Sequence, residues 1–201
     1  MRQTCLITMT ATPSHSGKRQ QIVDTAYALF KREGYHATGI DRIIAEAAVA
    51  KMTMYRNFPS KDDLIVEVLD DRARRFARRL DRLAQAAATP GQKIATIFDW
   101  YARWFRRPDF HGCLFAHALA EFGDPGHPAF GRAVAQKDDL RRRMRLILEE
   151  AMPADRAESA AAALLMLIEG ATLMAEMGQG DAAMGAARQA AARIIAPEAL
   201  P

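Results

Sequence analysis

Apolar residues return at intervals of three and four along almost the whole chain, the spacing of one face of a helix. Between 18 and 32 the stripe is Ile22, Val23, Ala26, Leu29 and Phe30, and Gly34 stands just past its end, where a helix C-terminus favours glycine. Thr38 with Asp41 three residues on reads as a capping box. It opens a short second helix at 39–47 that buries Ile40, Ile43 and Ile44. A third helix at 51–57 follows almost at once, with Met54 and Phe58 turned to a core and Pro59 closing it. Ser60-Lys61-Asp62-Asp63 forms a second capping box, and from it a long helix runs to about 87, crowded with arginine around Leu64, Val68, Phe76, Leu80 and Leu83. Five more helices are expected at 92–106, 112–122, 128–151, 154–177 and 181–195, separated by segments carrying Pro or Gly. No segment reads as a strand. The expected fold is all-α, about nine helices, with a three-helix head and a larger helical body.

That pattern divides the chain into a disordered tail at 1–16, a helix-turn-helix head at 17–64 and a body at 65–201. Helix 60–87 is the connector, and Thr89-Pro90-Gly91 is a breaker. A length of 201 residues, half of them hydrophobic, suffices for a sizeable core and argues against disorder as the overall class. The formal charge of +4 suits a polyanionic partner without requiring one. Cys5 and Cys113 make no disulfide framework and no CxxC pair, so a reducing cytoplasm is the expected location. No apolar run is expected to span a bilayer, and the first sixteen residues lack the features of a signal peptide.

Two short helices joined by a few residues can offer the second to the major groove of DNA. Here that helix is Lys51-Met52-Thr53-Met54-Tyr55-Arg56-Asn57, and Lys51, Thr53, Tyr55 and Arg56 can all donate hydrogen bonds. Taken alone, the same residues also read as solvated charges and a rim aromatic of the head's core. The spaced elements A-x-x-L-F at 26–30, G-Y-x-x-T at 34–38, I-x-x-I-A-x-x-A at 40–47, V-A-K-x-T-x-Y-R-N-F at 49–58 and P-S-K-x-x-L at 59–64 together resemble the TetR family of repressors. The resemblance implies DNA contacts from Lys51, Thr53, Tyr55 and Arg56, phosphate contacts from Thr38 and Lys61, and an accessory role for Lys18 and Arg19. Two positions depart from the family's usual Gly-Val-Ser turn. Ala48 must adopt an unfavourable backbone or reshape the turn, and Ala50 lacks a capping hydroxyl. Met52 stands where the family often has a small residue, and could touch a thymine methyl.

In the body, helix 92–106 carries Phe98, Trp100, Tyr101, Trp104 and Phe105 on nearly every side, so it is surrounded by protein. Aromatics mixed with methionines fit an adaptable cavity as well as plain core packing. The segment F-H-G-C-L-F at 110–115, with A-x-x-E-F at 118–122, resembles a recurring type of TetR C-terminal domain. On that resemblance the ligand-site candidates are Tyr101, Trp104, Cys113, His117, Met144 and Met166. His111, Cys113 and His117, with Glu121 one turn beyond His117 on the same face as Cys113, raise a metal or thiol sensor as an alternative. Zinc needs three or four well-placed ligands, however, and no CxxC or HxxxH pair is present. Neither a metal nor a cofactor is expected. Catalytic signatures such as G-x-S-x-G, HExxH and a Gly-rich phosphate loop are absent. Glu121 and Glu169 are single carboxylates that could bind a cationic ligand or satisfy a backbone group.

The last two expected helices are rich in alanine and glycine, which lets helices approach closely. The family dimerises through these helices, which implies Leu164, Leu167, Ala171, Met174 and Ile194 at a dimer interface. The expected partners are double-stranded operator DNA, a small-molecule effector and a second copy of the chain, with no membrane. The alternative from another class is a helical carrier or enzyme without specific DNA binding.

Overall fold

The computed structural model describes residues 15–196, and among them are nine helices and no strand. They are α1 (His15–Glu33), α2 (Ile40–Glu46), α3 (Lys51–Asn57), α4 (Lys61–Gln85), α5 (Pro90–Phe105), α6 (Leu114–Glu121), α7 (Pro128–Leu148), α8 (Ala154–Glu176) and α9 (Gly180–Ile195). Residues 1–14 of the expected tail, with Cys5, lie outside the described residues. His15 and Ser16 belong to α1.

The apolar stripe of α1 is buried as its spacing predicts, with Ile22, Val23, Ala26, Leu29 and Phe30 at most 1% exposed. Gly34 follows at φ +87°. The expected Thr38 cap does not form. Gly39 is the N-cap of α2 without a side-chain bond, while Thr38 is fully buried and its hydroxyl donates to the Gly34 carbonyl at 2.7 Å. Burial decides this: a hydroxyl inside the head needs an acceptor there, and the end of α1 supplies one. Ser60 does cap α4, accepting from the Asp63 N–H while the Asp63 carboxylate accepts from the Ser60 N–H. Thr89-Pro90-Gly91 is a start as well as a break. Thr89 caps α5 in a capping box with Gln92, and Pro90 occupies the first turn, where its missing N–H costs nothing.

Two cores organise the molecule. The head's core, built on α1–α3 and the start of α4, continues without interruption into Leu114, Phe115 and Ala118 of α6 and Ala129 and Ala133 of α7. The body's core lies among α4, α5, α7, α8 and α9. In the body, α8 packs between α7 and α9, and α5 packs on α9. Contrary to expectation, α8 is long and apolar enough by length and composition to cross a membrane, with a mean hydropathy of 1.4 over 18 residues. One side of it, with Ala157, Ala161, Leu164 and Ile168, is buried in the body.

Candidate functional site

The first candidate surface is the outer face of α3. Met54 and Phe58 anchor the helix in the head's core, which leaves Lys51, Met52, Tyr55 and Arg56 on the opposite, exposed side. Met52 is 83% exposed, an unusual position for a methionine with nothing against it. Arg56 has no ion-pair or hydrogen-bond partner among the described residues. Lys51 reaches Asp41 at 3.2 Å, but both side chains are well exposed, so the pair holds Lys51 weakly. Thr53 and Lys61 are half-buried.

The turn before α3 is strained. Ala48 sits at φ +49°, a left-handed conformation that costs an alanine of order 1–2 kcal/mol. Ala50 is the N-cap, extended and without a side-chain bond.

One expected DNA contact is corrected. Thr38, buried and bonded to Gly34, has no surface to offer a phosphate. Arg19 donates to Glu67 at 2.6 Å and lies 4.9 Å from the Phe58 ring centroid. The Arg19 side chain nevertheless remains 41% exposed, and the hydrogen bond it gives Glu67 lowers that carboxyl below the usual range. Lys18 is half-buried at the start of α1.

The second candidate is a cavity of about 320 Å³ between head and body. Helix α1 contributes Tyr27 and Lys31; α4 contributes Arg72, Arg75, Phe76 and Arg79; α5 contributes Trp100, Tyr101 and Trp104. The segment before α6 and the helices α6 and α7 close it with Asp109, Cys113, Phe115, Gln136 and Lys137 among others. Trp100 and Trp104 lie nearly parallel, 5.7 Å apart with 19° between their planes, and Phe76 packs on Trp100 at 5.1 Å. Arg72 lies 3.7 Å over the Tyr27 ring. Asp109 accepts from Arg107 at 2.8 Å and Lys31 at 3.0 Å, and those bonds hold its carboxyl well below the usual range. Lys137 lies 2.8 Å from Glu169 and 3.2 Å from the Cys113 sulfur. Burial alone would lower this ammonium, but Cys113 and Glu169 outweigh it and raise it. Burial likewise raises the Tyr101 hydroxyl.

Of the six expected ligand residues, Tyr101, Trp104 and Cys113 line this cavity. His117 does not: it lies in a neighbouring, more open depression, 3.6 Å from Glu176. Met144 is fully buried in the body's core, and Met166 is 69% exposed on α8. Methionine suits core, cavity or surface equally, and these two went elsewhere. The suggested metal set is dispersed, with Cys113 on Lys137, His117 on Glu176, and Glu121 on the head. Among the described residues no three His, Cys, Asp or Glu side chains form a metal-sized group. Two of the expected dimer residues, Leu164 and Ala171, are buried within the body, and Leu167 and Ile194 are half-buried there. The fifth, Met174, is exposed, and with Met166 and Leu173 of α8 and Met177 just past its end it forms an exposed apolar stripe.

Residues 22–68 match the family model for bacterial regulatory proteins of the tetR family. Residues 90–191 match the tetracyclin repressor-like C-terminal domain. The chain belongs to the TetR family. Its fold is similar to SCO4454, a TetR-family transcriptional regulator from Streptomyces coelicolor, with a TM-score of 0.84 and 28% identity over 90% of this chain and 95% of that one. It is also similar in fold to reduced Escherichia coli NemR, with a TM-score of 0.81, 21% identity, and coverage of 91% and 99%. KstR, an HTH-type transcriptional repressor of Mycobacterium tuberculosis, is 38% identical over 77 residues, 38% of this chain and 35% of KstR. The fatty acid metabolism regulator protein of Bacillus subtilis is 29% identical over 80 residues, 40% of this chain and 41% of that protein. The chain therefore spans about two fifths of the length of these two relatives. In this TetR-family chain α2 and α3 are the helix-turn-helix pair, inside the residues that match the regulatory-protein model.

Sequence reasoning missed the cavity's basic residues, although a signal for them was present. Arg72, Arg75, Phe76 and Arg79 are spaced i, i+3, i+4 and i+7, which places them on one face of α4. Tyr27 and Lys31 are one turn apart on α1 in the same way.

Proposed function

We propose that this regulator is a homodimeric repressor that holds a palindromic operator and leaves it when a small molecule enters the cavity. The observation that carries this reading is the composition of the cavity's walls: α1 of the head supplies Tyr27 and Lys31, while α4, α5 and α7 supply the rest. An occupant would touch the DNA-binding unit and the body together. It would also press on α4, which starts in the head at Ser60 and brings Arg72, Arg75, Phe76 and Arg79 to the cavity. A ligand changes operator affinity only if it prefers one head arrangement over another, and a site shared between head and body provides that preference. KstR, named a repressor, supports the repressive sense. The exposed stripe of α8 supports a two-fold dimer through α8 and α9, which would present two α3 helices to symmetric half-sites. Acting on the chromosome, the protein would work in the cytoplasm.

The test is operator binding by the full-length protein, at moderate salt and with nonspecific competitor DNA, because a basic protein binds any duplex weakly. Genomic fragments around its own gene supply the first candidates. Lys51→Ala with Arg56→Ala is expected to abolish the competitor-resistant complex while leaving the thermal melt unchanged, each lost base contact costing ~1–3 kcal/mol. A double variant that still binds its operator at wild-type affinity overturns the assignment of α3.

A further inference from the structure

The cavity's chemistry specifies its occupant more narrowly than its size does. Six cations line it: Lys31, Arg72, Arg75, Arg79, Arg107 and Lys137; one carboxylate, Asp109, lines it with them. The protein's own acids do not balance this set. Lys31 and Arg107 share Asp109. Arg72 and Arg75 share Asp24 and Asp71. Lys137 takes Glu169. That is four carboxylates to six cations, and Arg79 has no partner among the described residues. Two buried polar atoms on lining residues are also unsatisfied: the Arg72 Nε, a donor that needs an acceptor, and the Gln136 Oε1, an acceptor that needs a donor. Gln136 is only 7% exposed, so bulk solvent has little access to it. Unpaired buried polar atoms are uncommon in folded proteins and call for a partner.

Beside these groups the same cavity carries an aromatic surface of Phe76, Trp100 and Trp104. Half-enclosed apolar walls around like charges concentrate a positive potential. Guanidinium groups pair with planar carboxylates through two parallel hydrogen bonds. A neutral aromatic molecule would satisfy the wall but could offer Arg79 and the Arg72 Nε only an uncharged acceptor, which leaves the excess positive charge unbalanced. An organic cation would be repelled. An anion without a ring would leave the wall uncovered.

We infer that the cavity binds a small aromatic carboxylate, its ring against Phe76, Trp100 and Trp104 and its acid group on Arg79 and Arg72. A volume of about 320 Å³ sits at the low end for ligand cavities, roughly 300–1,000 Å³, and suits one or two rings. This inference rests on reading the cavity as the effector site.

The experiment is calorimetric titration of the full-length protein with 2-naphthoate, salicylate, their carboxamides and 2-naphthylmethylamine. The emission of Trp100 and Trp104, the chain's two tryptophans, reports occupancy of the wall. At least one acid is expected to bind saturably and at least tenfold tighter than its amide, and the amine not at all. Arg79→Gln is expected to weaken the acid about tenfold and leave the amide unchanged. Because Arg79 is exposed and unpaired, this variant should keep the wild-type melt. Trp104→Ala weakens acid and amide alike. An amide as tight as its acid, no binding by either acid, or wild-type acid affinity in an Arg72→Gln/Arg79→Gln variant overturns the inference. Operator affinity measured alongside separates the two readings. An acid that binds as expected but leaves the operator complex intact refutes the regulatory role of the cavity and leaves the ligand class standing. An amide that releases the operator without any preference for the acid does the reverse.

Discussion

Removing the Glu121 carboxylate is expected to loosen the head from the body. Glu121 ends α6, and its two oxygens accept the backbone N–H groups of Tyr35 at 2.9 Å and His36 at 2.7 Å. Both donors lie in the turn between α1 and α2, so one side chain of the body holds a backbone turn of the head. Hydrogen bonds to a charged group are worth about 1.5–3 kcal/mol net each. The Glu121 side chain is 26% exposed, which places each bond at the low end. Allowing for non-additivity between bonds that share a carboxylate, the pair contributes ~2–3 kcal/mol. For a chain of 150–250 residues each kcal/mol moves the Tm by about 2–4 °C, so Glu121→Ala should lower it by ~4–12 °C. Glu121→Gln keeps one neutral acceptor and should cost about half as much. The assay is a circular-dichroism melt at fixed protein concentration, since the proposed dimer would make Tm concentration-dependent. Amide hydrogen exchange at Tyr35 and His36 is the local readout, and both amides should exchange faster in Glu121→Ala. An unchanged melt with unchanged protection at these two amides would refute the reasoning.

The turn before α3 offers the opposite prediction. Ala48→Gly removes the strain at φ +49° at the cost of extra unfolded-state entropy, for a net gain of ~0.5 kcal/mol. Ala50→Ser adds a capping oxygen where the backbone is already extended, at φ −69° and ψ 146°, for ~1 kcal/mol. Together they should raise the Tm by ~3–6 °C in the same melt, and a fall would count against the strain argument. At the other end of the molecule, Leu173→Glu places a charge in the middle of the exposed α8 stripe, where Leu173 is 62% exposed. Light scattering after size exclusion should show a monomer at micromolar concentration. A dimer of unchanged mass would move the interface off this face.

What could be read from the sequence followed the range over which each signal acts. The α1 stripe, the Ser60 box and the anchoring of α3 by Met54 and Phe58 are settled within a turn or two of chain, and all three were legible. Thr38 was legible only as a pattern. Its fragment S/T-x-x-D fits a cap, but whether the hydroxyl turns forward to α2 or back to Gly34 depends on what buries it. Thr89-x-x-Gln92 with Pro90 after the cap carried a complete helix start, hidden because Pro and Gly also signal a break. The sides of α8 were not legible, because a helix apolar all round has no marked face. Leu164 and Leu173 look alike in the sequence, yet one is buried in the body and the other exposed. The cavity's cations lie on α1, α4 and α7 and in the segment between α5 and α6. Only the packing of those elements joins them.

The small helix α6 explains how one cavity can bear on the head from more than one side. Eight residues at 1.5 Å per residue make a rod of about 12 Å. Leu114 and Phe115 at its start line the cavity, and Glu121 at its end holds the turn at Tyr35. Tyr35 adds a second tie, its buried hydroxyl donating to the Leu114 carbonyl at 2.9 Å. Glycine is favoured at 34 by its backbone, and a side chain there would disturb Glu121. It takes φ +87°, and any Cβ there would lie 2.9 Å from the Glu121 Oε1. The Glu121 and Tyr35 hydrogen bonds tie α6 to the head at both ends. A displacement of α6 by an occupant would then be passed on to the turn that leads into α2. The Lys31–Asp109 pair lies at the cavity itself and joins α1 directly to the segment before α6. On the proposed function, therefore, α4, α6 and the Lys31 contact act on one rigid head, and Glu121→Ala should reduce the effect of a ligand on operator affinity without changing the affinity of the ligand itself.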